Sequence, residues 1–221
     1  MKNAIIQVTN PLIDHYVGVI RDENTCKNDF VQAVECIVSL MSFSITGNVN
    51  TARKRVLTPV AEADIAYFFD KMLIIPILRA GLAMFDPIKR VLPMATFGYV
   101  GIKRVGEKVQ DDAENMGFEA DMYYCNLPPN LHEYKVIILD VVIATGSTLD
   151  YAIEYLGKAG VPQEHISLVS IISSRPGLEN LHKKFPDVNI YTCAIDEVLN
   201  EKGYIVPGLG DAGNRYNGYD S

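Results

Sequence analysis

The stretch from Val136 to Thr148, VIILDVVIATGST, constrains the fold more than any other part of the chain. Four aliphatic residues run into a single acid, Asp140, and then into small, hydroxyl-bearing residues and a glycine. A short run that is apolar throughout and bounded by turn formers reads as a strand buried on both faces of a parallel sheet. Asp140 then stands at the carboxyl end of that strand. Leu149, Ala152, Ile153, Leu156 and Ala159 follow at helical spacing, closed by Gly160 and Pro162. Thr145, Gly146, Ser147 and Thr148 therefore form a strand-to-helix turn. Such a turn directs free backbone N–H groups and the positive end of a helix dipole at one point, with three hydroxyls beside them. That suits a phosphate monoester. An acid just upstream suits vicinal hydroxyls. An ordinary β-loop-α unit of a flavodoxin-like or Rossmann-like sheet fits the same stretch, whereas a Walker loop does not, because GxxxxGK[ST] is absent.

Further apolar runs extend the pattern. Met72 to Leu78 reads as a second buried strand, with Pro76 at a position whose N–H no ladder needs, and Arg79-Ala80-Gly81 follows at its carboxyl end. The next helix carries Leu82, Phe85, Ile88, Val91 and Leu92, with Pro87 kinking or restarting it. Phe97 to Lys103 and Met122 to Tyr124 read as a strand and its return, separated by a polar, acidic, aperiodic segment that reads as a flap. Ile166 to Ile172 and Val188 to Ile195 are expected as continuous strands on either side of a short helix that starts near Arg175 and ends near Pro186. Asn28 and Asp29 are expected to cap a helix running through Phe30, Val34, Ile37 and Met41 to Gly47. Thr58-Pro59 is expected to start another, with Val60, Ile65, Phe68 and Phe69 on its apolar side. Apolar strands alternating with helices predict a single α/β domain over 1–221, a parallel doubly wound sheet flanked by helices.

Composition narrows the function classes. The chain has 221 residues, with 20 Lys and Arg against 27 Asp and Glu, and its net charge of −7 argues against nucleic acid as a partner. No signal-like or membrane-spanning stretch is expected, so the chain is placed in the cytoplasm. Cys26, Cys36, Cys125 and Cys193 are far apart and read as small buried hydrophobes, and His15, His132, His165 and His182 show no zinc spacing. Gly208 to Gly213 matches GxGxxG, but too little chain follows for a dinucleotide fold. Tyr204, Ile205, Val206 and Leu209 make the tail too apolar to hang free.

Taken together, IPILRAG at 75–81, GIKR at 101–104, YYCNLP at 123–128, DVVIATGST at 140–148 and above all IDEVLNEKGYIVPGLGDAGNR at 195–215 resemble the uracil phosphoribosyltransferases, a type I phosphoribosyltransferase family. The resemblance implies the type I fold, with a flap at about 104–122 and a C-terminal hood at about 200–218. It implies transfer of phosphoribose from 5-phosphoribosyl-1-diphosphate (PRPP) to N1 of uracil, giving UMP and diphosphate. Arg79 and Arg104 match the family's PRPP-binding arginines. Asp140, Val141, Val142, Ile143, Ala144, Thr145, Gly146, Ser147 and Thr148 match its PRPP loop, with Asp140 on the ribose hydroxyls and the turn on the 5′-phosphate. Ile205, Gly210, Asp211 and Ala212 match the uracil hood, and Asp211 also faces PRPP or its hydrated magnesium. Arg79, Arg104, Asp140 and Asp211 are thus the expected catalytic residues. Mg2+ is expected to arrive with PRPP and water rather than on protein ligands. A homodimer or larger homo-oligomer is implied.

The chain departs from the family at several points. Val141 stands for the usual Pro, Ser147-Thr148 for Gly-Ser, and Phe43-Ser44 for a Tyr and a Glu, and the 18 residues between Arg104 and Tyr123 are roughly twice the usual flap length. The altered loop leaves open a catalytically weakened regulator that senses PRPP or nucleotides on the same fold. A transferase for another base is a third reading.

Overall fold

The computed structural model describes residues 5–111 and 115–219, the side chains at 104–119 excepted. In chain order the elements are β1 (Ile5–Gln7), α1 (Pro11–Arg21), α2 (Lys27–Ile45), β2 (Thr51–Leu57), β3 (Glu62–Phe68), β4 (Lys71–Leu78), α3 (Phe85–Val91), β5 (Thr96–Phe97), β6 (Tyr99–Asp111), β7 (Asn115–Asn126), β8 (Tyr134–Leu139), β9 (Val142–Ile143), α4 (Ser147–Lys158), β10 (Ile166–Val169), β11 (Ile172–Ser174), α5 (Arg175–Lys184), β12 (Asn189–Thr192), β13 (Ala194–Asp196), β14 (Val198–Leu199), β15 (Ile205–Val206) and α6 (Ala212–Asn217). The main sheet runs β1-β12-β10-β8-β4-β6-β7, with β5 also on β4. Every pairing in it is parallel except β6 with β7.

The strands alternate sides although both faces are covered. Leu73, Ile75, Val136 and Ile138 pack against Leu149 and Ile153 of α4 and Leu178 and Leu181 of α5. Ile74, Ile137 and Tyr191 pack on the other side against α1 through Ile13, α2 through Phe30 and Ile37, and α3 through Ile88. This is the doubly wound arrangement expected from the apolar runs. Pro76 falls where the partner of β4 changes, after Ile74 pairs with Phe97 of β5 and before Ile77 pairs with Val100 of β6. A residue without an N–H is tolerated at that interruption.

The runs at 136–143, 166–174 and 189–196 are each broken, so the two strands expected as continuous are four. The N–H groups of Ile171 and Ile172 both donate to the carbonyl of Val141, at 2.9 and 3.3 Å, and those of Cys193 and Ala194 both donate to that of Ile171, at 3.1 and 3.0 Å. Two donors on one acceptor is the mark of a bulge, which bends the strand it interrupts. Beyond this row the chain continues as a separate small sheet, β13-β11-β9. The buried hydroxyls of Ser170, Ser173 and Thr192 bond one another along the break, at 2.7 and 2.9 Å.

Other expectations need correction. Thr58-Pro59 starts no helix: β2 and β3 form an antiparallel hairpin, Thr51 opposite Phe68 through Leu57 opposite Glu62. The Thr58 hydroxyl accepts from the amides of Val60 and Ala61 and closes the turn, which is the capping chemistry of a helix start used in a hairpin. α2 begins after Cys26, with neither Asn28 nor Asp29 as its cap. Lys27–Asn48 is long and apolar enough to cross a membrane by length and composition, contrary to expectation, yet Phe30, Val34, Ile37, Val38 and Met41 of that stretch are buried in the core. Only Cys193 of the four cysteines is buried, while Cys26 and Cys125 are exposed. The segment read as an aperiodic flap is the hairpin of β6 and β7, with residues 112–114 outside the description.

Candidate active site

The site is assembled at the carboxyl edge of the parallel strands. A Cβ on Gly81 would lie 2.4 Å from the carbonyl oxygen of Leu139, so a residue without one lets the chain leaving β4 cross against the end of β8. Arg79 and Asp140 consequently follow neighbouring strand ends, Pro76 being in register with Leu139. Arg79 is exposed and its peptide with Leu78 is cis. Asp140 is half-buried, and its backbone N–H is fixed on the carbonyl of Val169 at 3.0 Å. On the other side of β4, Leu78 pairs with Gly101 of β6, and further along that strand Arg104 stands opposite Ala120. The side chain of Arg104 lies outside the described residues.

The loop from Val141 to Thr148 divides into two parts. Val141 and Ile143 send their side chains into the two cores, so any ligand contact they make is through the backbone. Ala144 is buried, and its carbonyl accepts from the hydroxyl of Ser174. Gly146 takes the left-handed conformation, φ 84°, at the N-cap of α4, and Ser147 begins the helix with no positive φ. Glycine therefore sits where the unusual angle falls, and the serine that stands for the family's glycine occupies a helical position. α1, α5 and α6 have their first turns capped by the side chains of Asn10, Ser174 and Asp211. α4, like α2 and α3, has no side-chain cap of that kind; a glycine stands there, and the helix end carries the buried Thr145 hydroxyl 3.0 Å from that of Ser147 and 3.5 Å from the Ser147 amide, which donates to it. An uncapped helix start with clustered hydroxyls is an anion site in outline.

The C-terminal segment expected as the hood, about 200–218, is tied to the end of α1 by two arginines. Asp196, 7 % exposed, receives both terminal nitrogens of Arg21 at 2.8 and 2.7 Å and the amide of Gly208 at 2.9 Å. Arg215 donates to the carbonyls of Ile20, Leu209 and Asp22, with its guanidinium 4.6 Å from the ring centre of Phe30. Burial pulls its pKa below the ordinary guanidinium value, with Asp22 opposing. Leu209 and Ala212 are buried in the α1–α2 core, Ile205 is half-buried on β15, and Gly210 and Asp211 are exposed. The Asp211 carboxylate accepts from the amide of Asn214 at 2.8 Å.

Arg21 and Asp196 carry no role in the reading of the sequence. An acid closing the apolar run 188–195, and an arginine in the last turn of a helix opened by Asn10-Pro11, are the signals that point to them. A groove of about 730 Å3 between the α1–α2 connection and the hood reaches Gly210 and Asp211 but none of residues 140–148, so it lies beside the loop rather than over it.

The geometry agrees with the comparisons. A family model described as uracil phosphoribosyltransferase matches residues 7–218. The uracil phosphoribosyltransferase of Thermoanaerobacter sp. (strain X514) is 41% identical over 215 residues, 97% of each chain. That of Campylobacter concisus (strain 13826) is also 41% identical over 215 residues, covering 97% of this chain and 98% of the relative. Among solved structures, the AQ2163 protein of Aquifex aeolicus superposes with a TM-score of 0.85 at 31% identity, over 96% of this chain and 97% of that one. An adenine phosphoribosyl transferase from Trypanosoma brucei shares the fold, with a TM-score of 0.56 at 13% identity, over 94% and 87% of the two chains. The sheet with its flanking helices is thus a type I phosphoribosyltransferase fold, and the chain belongs to the uracil phosphoribosyltransferase family.

Proposed function

We propose that the protein transfers phosphoribose from PRPP to N1 of uracil, giving UMP and diphosphate in pyrimidine salvage. The observation that carries this reading is the uncapped start of α4, with its clustered hydroxyls, beside Asp140 at the end of β8 in a chain of this family. In this reading the 5′-phosphate sits on the amides of Gly146 to Thr148, and Asp140 accepts from the ribose hydroxyls. Arg79 and Arg104 hold diphosphate oxygens, which planar guanidinium groups can chelate in pairs. Backbone groups of Ile205 and of Gly210 to Ala212 read the acceptor–donor–acceptor edge of uracil. Cytosine would set like groups against each other, at a cost of a few kcal/mol. The reaction passes through an oxocarbenium-like ribose as diphosphate departs, so positioning and charge neutralisation supply the catalysis.

The acidic set fits magnesium that enters on its substrate. Among the described residues no three His, Cys, Asp or Glu side chains converge into a cage, whereas Asp140 and the exposed Asp211 are single carboxylates suited to the water shell of a diphosphate-bound ion. Magnesium bound in this way neutralises diphosphate charge. A second copy of the chain is proposed as partner through the β2–β3 hairpin, whose Leu57 and Val60 at the turn are 83 and 94% exposed, with the exposed Phe69 at its open end. Exposed free thiols at Cys26 and Cys125 suit a reducing compartment, the cytoplasm. The Ser147 substitution, which raised the regulator reading, falls at a helical angle that serine accepts.

The test is direct: the protein is incubated with uracil, PRPP and magnesium and the products are separated. UMP with stoichiometric diphosphate is expected. No UMP from folded protein with all three present would overturn the reading.

A further inference from the structure

The segment proposed to read the base has little order of its own. Gly203, Gly208 and Gly210 all have positive φ, and the only regular structure before α6 is the short pair of β14 with β15. Two arginines supply the order instead. Arg21 donates to the carbonyl of Gly208 at 2.8 Å while gripping Asp196 with both terminal nitrogens, and the amide of Gly208 returns to Asp196 at 2.9 Å, closing a ring. Arg215 takes the next carbonyl, Leu209, at 3.0 Å, and its remaining bonds reach Ile20 and Asp22 at the end of α1. Successive carbonyls immediately before Gly210 are thus each held by a guanidinium anchored on the same helix end.

Resting on the reading of Gly210 to Ala212 as the base hood, we infer that Arg21, Asp196 and Arg215 are positioning residues that set the affinity and selectivity for uracil more strongly than the affinity for PRPP, which the hood touches through Asp211 alone. Backbone groups discriminate a donor from an acceptor only if they are fixed before the base arrives, since a loop that must order on binding spends affinity on its own entropy. The loop that would hold PRPP hangs instead from the end of β10 and the cap of α5, through Val169 and Ser174. Different side chains hold the two segments, Ser174 the loop and Asp196 the hood, although these two residues are register partners in the small sheet. Removing Arg21 alone would strand the buried Asp196 charge, so the informative variant replaces the pair by apolar residues, a change folds tolerate well.

Arg21→Met/Asp196→Leu and Arg215→Lys are compared with the wild type in steady-state assays varying uracil, PRPP and cytosine, with thermal melts to verify folding. Arg215→Lys keeps the charge but loses the planar fork whose two nitrogens reach three carbonyls, and it carries the test if the double variant does not fold. We expect KM for uracil to rise about tenfold, KM for PRPP to rise by less than about threefold, and the preference for uracil over cytosine to shrink. Equal rises in both KM values in a folded variant, or an unchanged KM for uracil, overturn the clamp. A wild-type protein that makes no UMP overturns the reading of the site, so the two failures are distinguishable.

Discussion

Gly177 at the start of α5 lies against Ala144 so closely that a Cβ on the glycine would fall 2.1 Å from the Ala144 carbonyl oxygen. The Ser174 hydroxyl reinforces the contact, donating to that carbonyl and accepting from the Gly177 amide at 2.9 Å. The second βα unit thus forms the floor under the turn of the first. Gly177→Ala should displace the 144–148 turn, because backbone on both sides cannot yield as a side-chain tip can. We expect a loss of about 1–3 kcal/mol in stability, the usual scale of overpacking, together with weaker PRPP binding. Wild-type melting and PRPP titration curves for this variant would remove the floor from the account.

Asp140→Asn tests the ribose contact. The backbone of Asp140 is fixed by Val169, so the amide replaces the carboxylate without moving the strand end. Calorimetric titration should show PRPP weakened by about 1–3 kcal/mol, as for the loss of a charge-assisted hydrogen bond. Unchanged affinity would refute the role assigned to this acid.

Ser147 begins α4 while Gly146 takes the left-handed angle. Glycine at 147 relieves nothing there and costs about 0.5 kcal/mol of helix propensity relative to serine. Ser147→Gly is therefore expected to leave PRPP affinity unchanged or slightly weaker. A tenfold gain, about 1.4 kcal/mol, would mean that the serine distorts the loop after all.

Cys193, 3% exposed, has its thiol pushed up to about 12 by burial, with the Asp14 charge adding to the effect. The unfolded thiol ionises near 9. A folded pKa above the unfolded one gives stability that is complete below pH 9 and is lost as the pH climbs through about 12. Denaturant melts across this alkaline window should fall less steeply for Cys193→Ala than for the wild type, by a few kcal/mol at the upper end. Iodoacetamide at pH 8 should label Cys26 and Cys125 in the native protein and Cys193 only on unfolding. Equal labelling of Cys193 would contradict its burial.

The strands β4 and β8 and the helix α4 were legible because a strand covered on both faces is a short apolar run and a helix start announces itself with glycine and hydroxyls. Thr58-Pro59 was misleading for a physical reason: a threonine oxygen that accepts two amides serves a hairpin turn as readily as a helix. The breaks at Ile171 and Cys193 left no trace, since the doubled residues are as apolar as their neighbours. In the candidate site, the strand-to-helix turn at 145–148 is local in sequence and could be read from spacing, whereas the segment proposed as the hood was recognisable only by resemblance. Arg21 and Asp196, 175 residues apart, share no local pattern.

The anchoring of the hood also orders events during synthesis. Arg21 leaves the ribosome 175 residues ahead of Asp196, and Gly208 and Arg215, with its bonds back to Ile20 and Asp22, emerge later still. Contacts of such long sequence separation close last. A nascent chain can therefore raise the sheet and its phosphate turn while the far wall of the cleft is still missing. A premature stop before Asp196 would yield a body folded on one side, with α1 ending on carbonyls that have lost their guanidinium partner.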